Sequence, residues 1–260
     1  MSLLREWAAW NATEPPYVFD ADRTALLSAR SEQRCVTIAD WQAAYMADDF
    51  GKPGDRRVHL GLLPQPFCGD IMRASVYVLL LNPGVGNTDY YGEYQVPNYR
   101  ENLLATLKQQ FVAGSTPFTF LDPQFAWHGG YRWWHGKLAD VIARLATTWS
   151  VSFAKARARV GRELASIELF PYHSAGFQDG GWLRSLPSVE LAKEFVREVV
   201  LQRVRAGEAV AIVLRKAKAW DLPNISGVVM YTAQQARGAH LSPDSAGGRA
   251  ILDRLSHLDP

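Results

Sequence analysis

Cysteine is nearly absent from this chain, with only Cys35 and Cys68 among 260 residues. Two thiols make no disulfide framework, no cysteine-based zinc site and no iron–sulfur centre. No His-x-x-x-His or Cys-x-x-Cys spacing occurs either, so neither a metal site nor a cofactor is expected. Long apolar runs are also missing, and none approaches the roughly 18 residues that a membrane span requires. The first residues, Met1-Ser-Leu-Leu-Arg-Glu-Trp7, lack a basic segment leading into an apolar one, so no secretion signal is expected. Charge of one sign is scarce too. A net charge of +2 permits a nucleic-acid partner without requiring one. These absences lead to the expectation of a cytoplasmic monomer without a membrane partner.

What is present fits an enzyme-sized globular chain. Hydrophobic residues make up 48% and charged residues 21%, enough apolar material for a substantial core. The expected organisation is one domain over residues 1–260, with an irregular and helical leader at about 1–61. Four short apolar segments, 75–81, 165–170, 208–214 and 227–232, read as buried strands. Amphipathic patterns at 99–112, 135–148, 152–164, 188–206 and 246–257 read as helices between and after them. The stretch 113–134, rich in glycine, proline and aromatics, reads as a long loop. Strands alternating with helices predict an α/β fold, with a mainly parallel four-stranded sheet between two helical layers.

Two strand ends carry the chemistry. Val76-Tyr-Val-Leu-Leu-Leu-Asn82-Pro83-Gly84 is an apolar run that stops on an amide and a tight turn. His240-Leu241-Ser242-Pro243-Asp244-Ser245 follows the apolar run Val228-Val229-Met230-Tyr231. Open α/β sheets bind ligands beyond the carboxyl ends of their strands. Two basic groups stand elsewhere: Lys155, Arg157, Arg159 and Arg162, then Arg203, Arg205, Arg215, Lys216 and Lys218. Either group can track phosphates or can be a solvated helix face.

The two motifs, in this order and at this spacing, resemble those of the uracil-DNA glycosylase superfamily, in its Asn-Pro-Gly branch. The likeness extends over about residues 62–257 and implies the three-layer α/β/α fold of that family. It implies an N-glycosyl hydrolase in which Asn82 positions the attacking water and His240 donates a hydrogen bond to the departing base. Gly84 and Gly86 would let the backbone approach the substrate. Tyr94, twelve residues after Asn82, would stack on the flipped base, with Tyr90 and Tyr91 nearby. Ser242 and Ser245 would hold a DNA phosphate. Tyr172, His173 or Ser174 would have to read the substrate, because the strand end that carries an asparagine in the family ends here in Phe170.

Departures from the pattern narrow the expectation. Leu80 stands where the family has glycine two residues before the catalytic position, and Leu241 follows the motif histidine in place of proline. Asp244 takes the place of the side chain that fills the gap left by a flipped base, and a carboxylate there is repelled by phosphates. Single-stranded DNA is therefore favoured over duplex as the partner. The alternative is a nucleotide- or nucleic-acid-binding module that keeps the glycosylase fold without cleavage.

Overall fold

The computed structural model describes residues 2–11, 13–28, 34–50, 52, 54–178, 181 and 185–258. Among them seven short strands run in chain order: β1 Cys35–Val36, β2 Val58–His59, β3 Phe67–Cys68, β4 Val76–Leu80, β5 Leu164–Glu168, β6 Val210–Val213 and β7 Val228–Met230. The chain, read from its length as one domain, divides into two compact units. The first comprises Met1–Pro66, Leu81–Gln110 and Glu168–Phe195, and the second Phe67–Leu80, Phe111–Ile167 and Val196–Pro260.

The second unit is organised by a mainly parallel sheet in the order β3-β5-β4-β6-β7. Every residue of β4 and β5 is buried; β4 is accordingly a continuous apolar run rather than an alternation, whereas β5 buries Ser166 and Glu168 among its apolar residues. Parallel registers pair Val76 with Val210 and Leu79 with Val213, then Ala211 with Val228 and Val213 with Met230. The four expected strands are all present. A fifth corrects the expected count: β3 pairs antiparallel with β5 at the edge, Phe67 opposite Ile167 and Cys68 opposite Ser166. Two residues beside Pro64 and Pro66 are too few to show any hydrophobic period.

Helices pack around this sheet. The helix Gly129–Thr148 buries Trp134, Leu138, Val141, Ile142 and Leu145, a stripe at helical spacing. It begins inside the stretch expected to be loop, because the His128 ring accepts the Gly130 N–H and caps a start made of two glycines. Phe153–Glu163 and Ala246–Ser256 start at Ser152 and Ser245, whose hydroxyls cap them. Val76, Val78, Ile212, Leu138 and Leu252 belong to one buried cluster.

The N-terminal residues, expected as an irregular and helical leader, pack within the first unit. The helix Ser2–Ala9 buries Leu3 and Trp7, and the Trp7 ring lies 4.8 Å from Phe19. The Tyr17 N–H donates to the Leu60 carbonyl at 2.7 Å. β1 and β2 form a small parallel pair, Cys35 opposite Val58 and Val36 opposite His59. Helices Trp41–Met46, Asp89–Gln95, Pro97–Leu107 and Pro187–Phe195 complete the unit. Pro97 opens its helix at a position where no backbone N–H is needed. Among the described residues no helix is long and apolar enough to cross a membrane.

Candidate functional site

Two segments of the first unit, Leu81–Gly84 and Phe170–Ser174, are stitched together around Asn82. The Phe170 N–H donates to the Leu81 carbonyl at 2.8 Å, and the Ser174 N–H to that of Pro83 at 3.1 Å. The half-buried Asn82 amide donates to the Pro83 carbonyl at 2.7 Å and to the Ser174 carbonyl at 3.2 Å. His173 reaches the Gly84 carbonyl through Nδ1 at 2.6 Å. A carbonyl only accepts, so Nδ1 carries the hydrogen and neutral His173 keeps its lone pair on Nε2. These contacts bring together Asn82, Gly84 and His173, three of the residues singled out from the sequence.

The glycines in this loop leave room. A Cβ built at Gly84 would meet nothing within 4 Å, and one at Gly86 would meet only Asp89 Oδ2 at 3.6 Å. Neither residue is at positive φ. Space beside the backbone, rather than a special dihedral, is therefore what glycine supplies here. Asp89 holds the loop by accepting the Gly86 N–H at 2.7 Å.

A buried polar group adjoins His173 that sequence reading did not find. The His59 N–H donates to the His173 carbonyl at 2.9 Å, an isolated antiparallel bridge. His59 Nδ1 lies 3.2 Å from the Tyr90 hydroxyl, and Nε2 lies 3.4 Å from Asp55 Oδ2. Arg57 donates to both Asp55 oxygens, at 3.0 and 3.1 Å. Burial pushes Asp55 upward, but the bonds from Arg57 outweigh it and hold the carboxyl below its ordinary range. Burial drives His59 down to about 4, against the pull of Asp55. The available signal was the Asp55-Arg-Arg-Val-His59 run itself. Nothing local marks it as buried.

That depressed value has a consequence for acid stability. The unfolded chain protonates this histidine near 6.5 and the folded one only near 4. Stability linked to His59 is complete above the unfolded value and is lost as pH falls from 6.5 toward 4, by about 3 kcal/mol in total. Glu93 works the other way, because burial holds its carboxyl well above the usual range. Comparing wild type with His59→Gln by urea denaturation at pH 7 and 4.5 cancels Glu93. The variant is expected to lose less stability over that interval, and equal losses would remove His59 as the source.

The other residues expected to meet the substrate occupy different surroundings. Tyr172 is fully buried, and its hydroxyl donates to Asp22 Oδ2 at 2.6 Å while accepting the Phe19 N–H at 3.2 Å. Both capacities of that hydroxyl face the interior, which corrects the expected reading role. Phe170 is also fully buried. The Tyr94 hydroxyl donates to the Gly61 carbonyl at 2.7 Å, and its ring stacks on Tyr90 at 6.1 Å. Tyr90 is buried, whereas Tyr91 is 43% exposed beside Trp41, ring centroids 5.6 Å apart. Of the three tyrosines considered for stacking on a base, Tyr91 is exposed, Tyr94 half-buried and Tyr90 buried.

His240 and the serines belong to the second unit. The His240 side chain is exposed, and its ring lies so close to Gly238 that a Cβ there would be 2.4 Å from Nε2. Lys137 Nζ donates to the Gly238 carbonyl at 2.5 Å, and the Tyr231 hydroxyl donates to the His240 carbonyl at 2.5 Å. Leu241, at the family's proline position, is fully buried in the core cluster. The Ser245 hydroxyl donates to the Ser242 carbonyl at 2.8 Å and accepts the Gly248 N–H at 2.9 Å. Ser245 is thus a helix cap, which accounts for its place in the motif without a phosphate. Ser242 is half-buried and Asp244 is exposed.

Several of the basic residues are structural. Arg157 donates to the Tyr131 hydroxyl at 3.0 Å, and Arg159 lies 4.0 Å over the Trp149 ring. Arg203 donates to the carbonyls of Met72 and Ala74 and to the Tyr77 hydroxyl. Lys155, Arg162, Arg205, Arg215, Lys216 and Lys218 remain exposed. Among the described residues no group of three or more His, Cys, Asp and Glu side chains could hold a metal ion. No protein family, no curated protein and no solved structure matches the chain.

Proposed function

We propose that this chain hydrolyses the N-glycosidic bond of a base in DNA or a nucleotide, as a divergent member of the uracil-DNA glycosylase superfamily with that family's three-layer α/β/α fold. The observation that carries the reading is the setting of Asn82. Its amide N–H groups are fixed on two carbonyls, so its Oδ1 is the end left to accept from a water. Breaking the bond builds positive charge on the sugar, and an oriented water can then add to C1′. The resemblance gives His240 the leaving base, and that part of the proposal rests on the motif alone. With both capacities of the Tyr172 hydroxyl used inside and Phe170 carrying no polar group, the substrate edge is left to backbone groups of the 82–86 loop.

The test is release of free base from single-stranded and duplex oligonucleotides carrying uracil, hypoxanthine, xanthine or mismatched thymine, by wild type and Gly84→Val. Valine at 84 meets no protein atom at its Cβ, so the variant is expected to melt with the wild type. If substrate passes beside Gly84, release falls by about 100-fold, because misplacing the reacting centre by an ångström has that effect. Equal rates for both proteins would mean that substrate does not pass there. Phe170, buried where the family carries an amide that reads the base, favours a second reading as a binding module. Binding of these oligonucleotides without release of any base would select it.

A further inference from the structure

Hydrolysis at C1′ leaves a proton to be placed. Water that adds to C1′ must lose one, and the Asn82 amide can accept a hydrogen bond but is no base. We propose that His173 takes that proton on Nε2, an inference that rests on the hydrolase reading above.

The geometry supports this in three ways. The Nδ1–H bond to the Gly84 carbonyl, 2.6 Å long, sets the tautomer whose free lone pair is on Nε2. That bond also ties the ring to the loop carrying Asn82, whose amide in turn holds the carbonyl of Ser174, the next residue after His173. His173 is 1% exposed, and its Nε2 is a buried atom with no hydrogen-bond partner among protein groups. The neighbouring Ser174 hydroxyl is likewise buried and without a partner. A buried imidazole nitrogen left unpaired is costly unless something that enters the fold uses it.

The groups around His173 include titratable ones. His59, bridged to it through the backbone, stays neutral down to about pH 4 and so adds no repelling charge. Behind it stand Tyr90, a neutral phenol, and Asp55, kept ionised by Arg57. On the loop side stands Asp89, which accepts the Gly86 N–H. In the step itself the water oxygen forms its bond to C1′ and the C1′–N electrons leave with the base. The water proton moves to Nε2, giving an imidazolium still bonded to Gly84 through Nδ1–H. Deprotonation by solvent resets the residue.

The experiment compares wild type and His173→Asn in single-turnover base release from pH 5 to 9. An asparagine amide can keep the donor to the Gly84 carbonyl while lacking a base. Release is expected to fall by about 100-fold or more. The pH profile of release is expected to lose its acid limb, as it does when a general base is removed. A lowered rate with the acid limb intact in His173→Asn would overturn the role and leave His173 as a positioning residue for Gly84, and a wild-type rate would remove it from the reaction. If the variant does not fold, nitrogen-15 NMR of wild-type histidines decides instead. The expected tautomer for His173 has hydrogen on Nδ1 at neutral pH, and hydrogen on Nε2 would overturn the proposal. Absence of release by wild type from every substrate would defeat the hydrolase reading itself, and this inference with it, before any variant is compared.

Discussion

Alanine at position 82 is expected to lower base release by about 100-fold or more, the usual range for losing one polar group aimed at the reacting centre. The fold should survive the change. Asn82 is half-buried and its amide makes two hydrogen bonds to backbone, each contributing about 1 kcal/mol net, so a melting curve shifted by a few degrees is the expected accompaniment. Aspartate at this position is informative in a different way. It supplies an oxygen to a water, but its second oxygen would face the Pro83 and Ser174 carbonyls, now at 2.7 and 3.2 Å from the amide nitrogen. Repulsion of a carboxylate from two carbonyls should turn the side chain away, so Asn82→Asp is expected to be both less stable and nearly inactive. Wild-type release from either variant, on a substrate that the wild type cleaves, would take Asn82 out of the reaction.

Loss of Asp22 should have the largest effect on stability. This fully buried carboxyl accepts the Tyr172 hydroxyl at 2.6 Å and the Ser188 N–H at 3.1 Å, and burial raises it above its ordinary range. Asp22→Ala strands both donors in the interior and leaves a small void, a combined loss of about 3 kcal/mol. Tyr172→Phe removes one bond and leaves the Phe19 N–H unpaired, for about 2 kcal/mol. Urea denaturation of the two variants measures these losses, and the phenylalanine variant carries a second readout. If Tyr172 is purely internal, base release by Tyr172→Phe at a temperature where it is folded should equal that of the wild type. A selective loss of substrate binding with unchanged stability would restore Tyr172 to the substrate.

Local pattern was enough for the elements that are themselves local. Apolar runs marked β4 and β6, because a strand buried on both faces shows its burial in its own composition; β5 was legible despite Ser166 and Glu168, and β7 although only Val228 in it is buried. The strand ends followed from the same runs, and with them Asn82 at the close of Val76–Leu81 and His240 beyond Tyr231. Helix 246–256 was legible from its amphipathic pattern, whereas Ser245, expected to hold a phosphate, caps its start. A hydroxyl in the sequence does not say which partner it has.

Everything that depended on partners far along the chain was settled only by tertiary structure. The two-residue strand β3 exists because β5, a hundred residues on, offers it a ladder. Tyr172 turned inward because Asp22, 150 residues earlier, meets its hydroxyl. His59 was drawn beside His173 by a single backbone bridge and left neutral by burial, and Asp55 was held ionised by Arg57 at the same place. The division into two units likewise interleaves three segments in each, which no boundary in composition marks. The period of a strand or helix is written by neighbours in sequence, whereas tautomer, charge and hydrogen-bond satisfaction are written by neighbours in space.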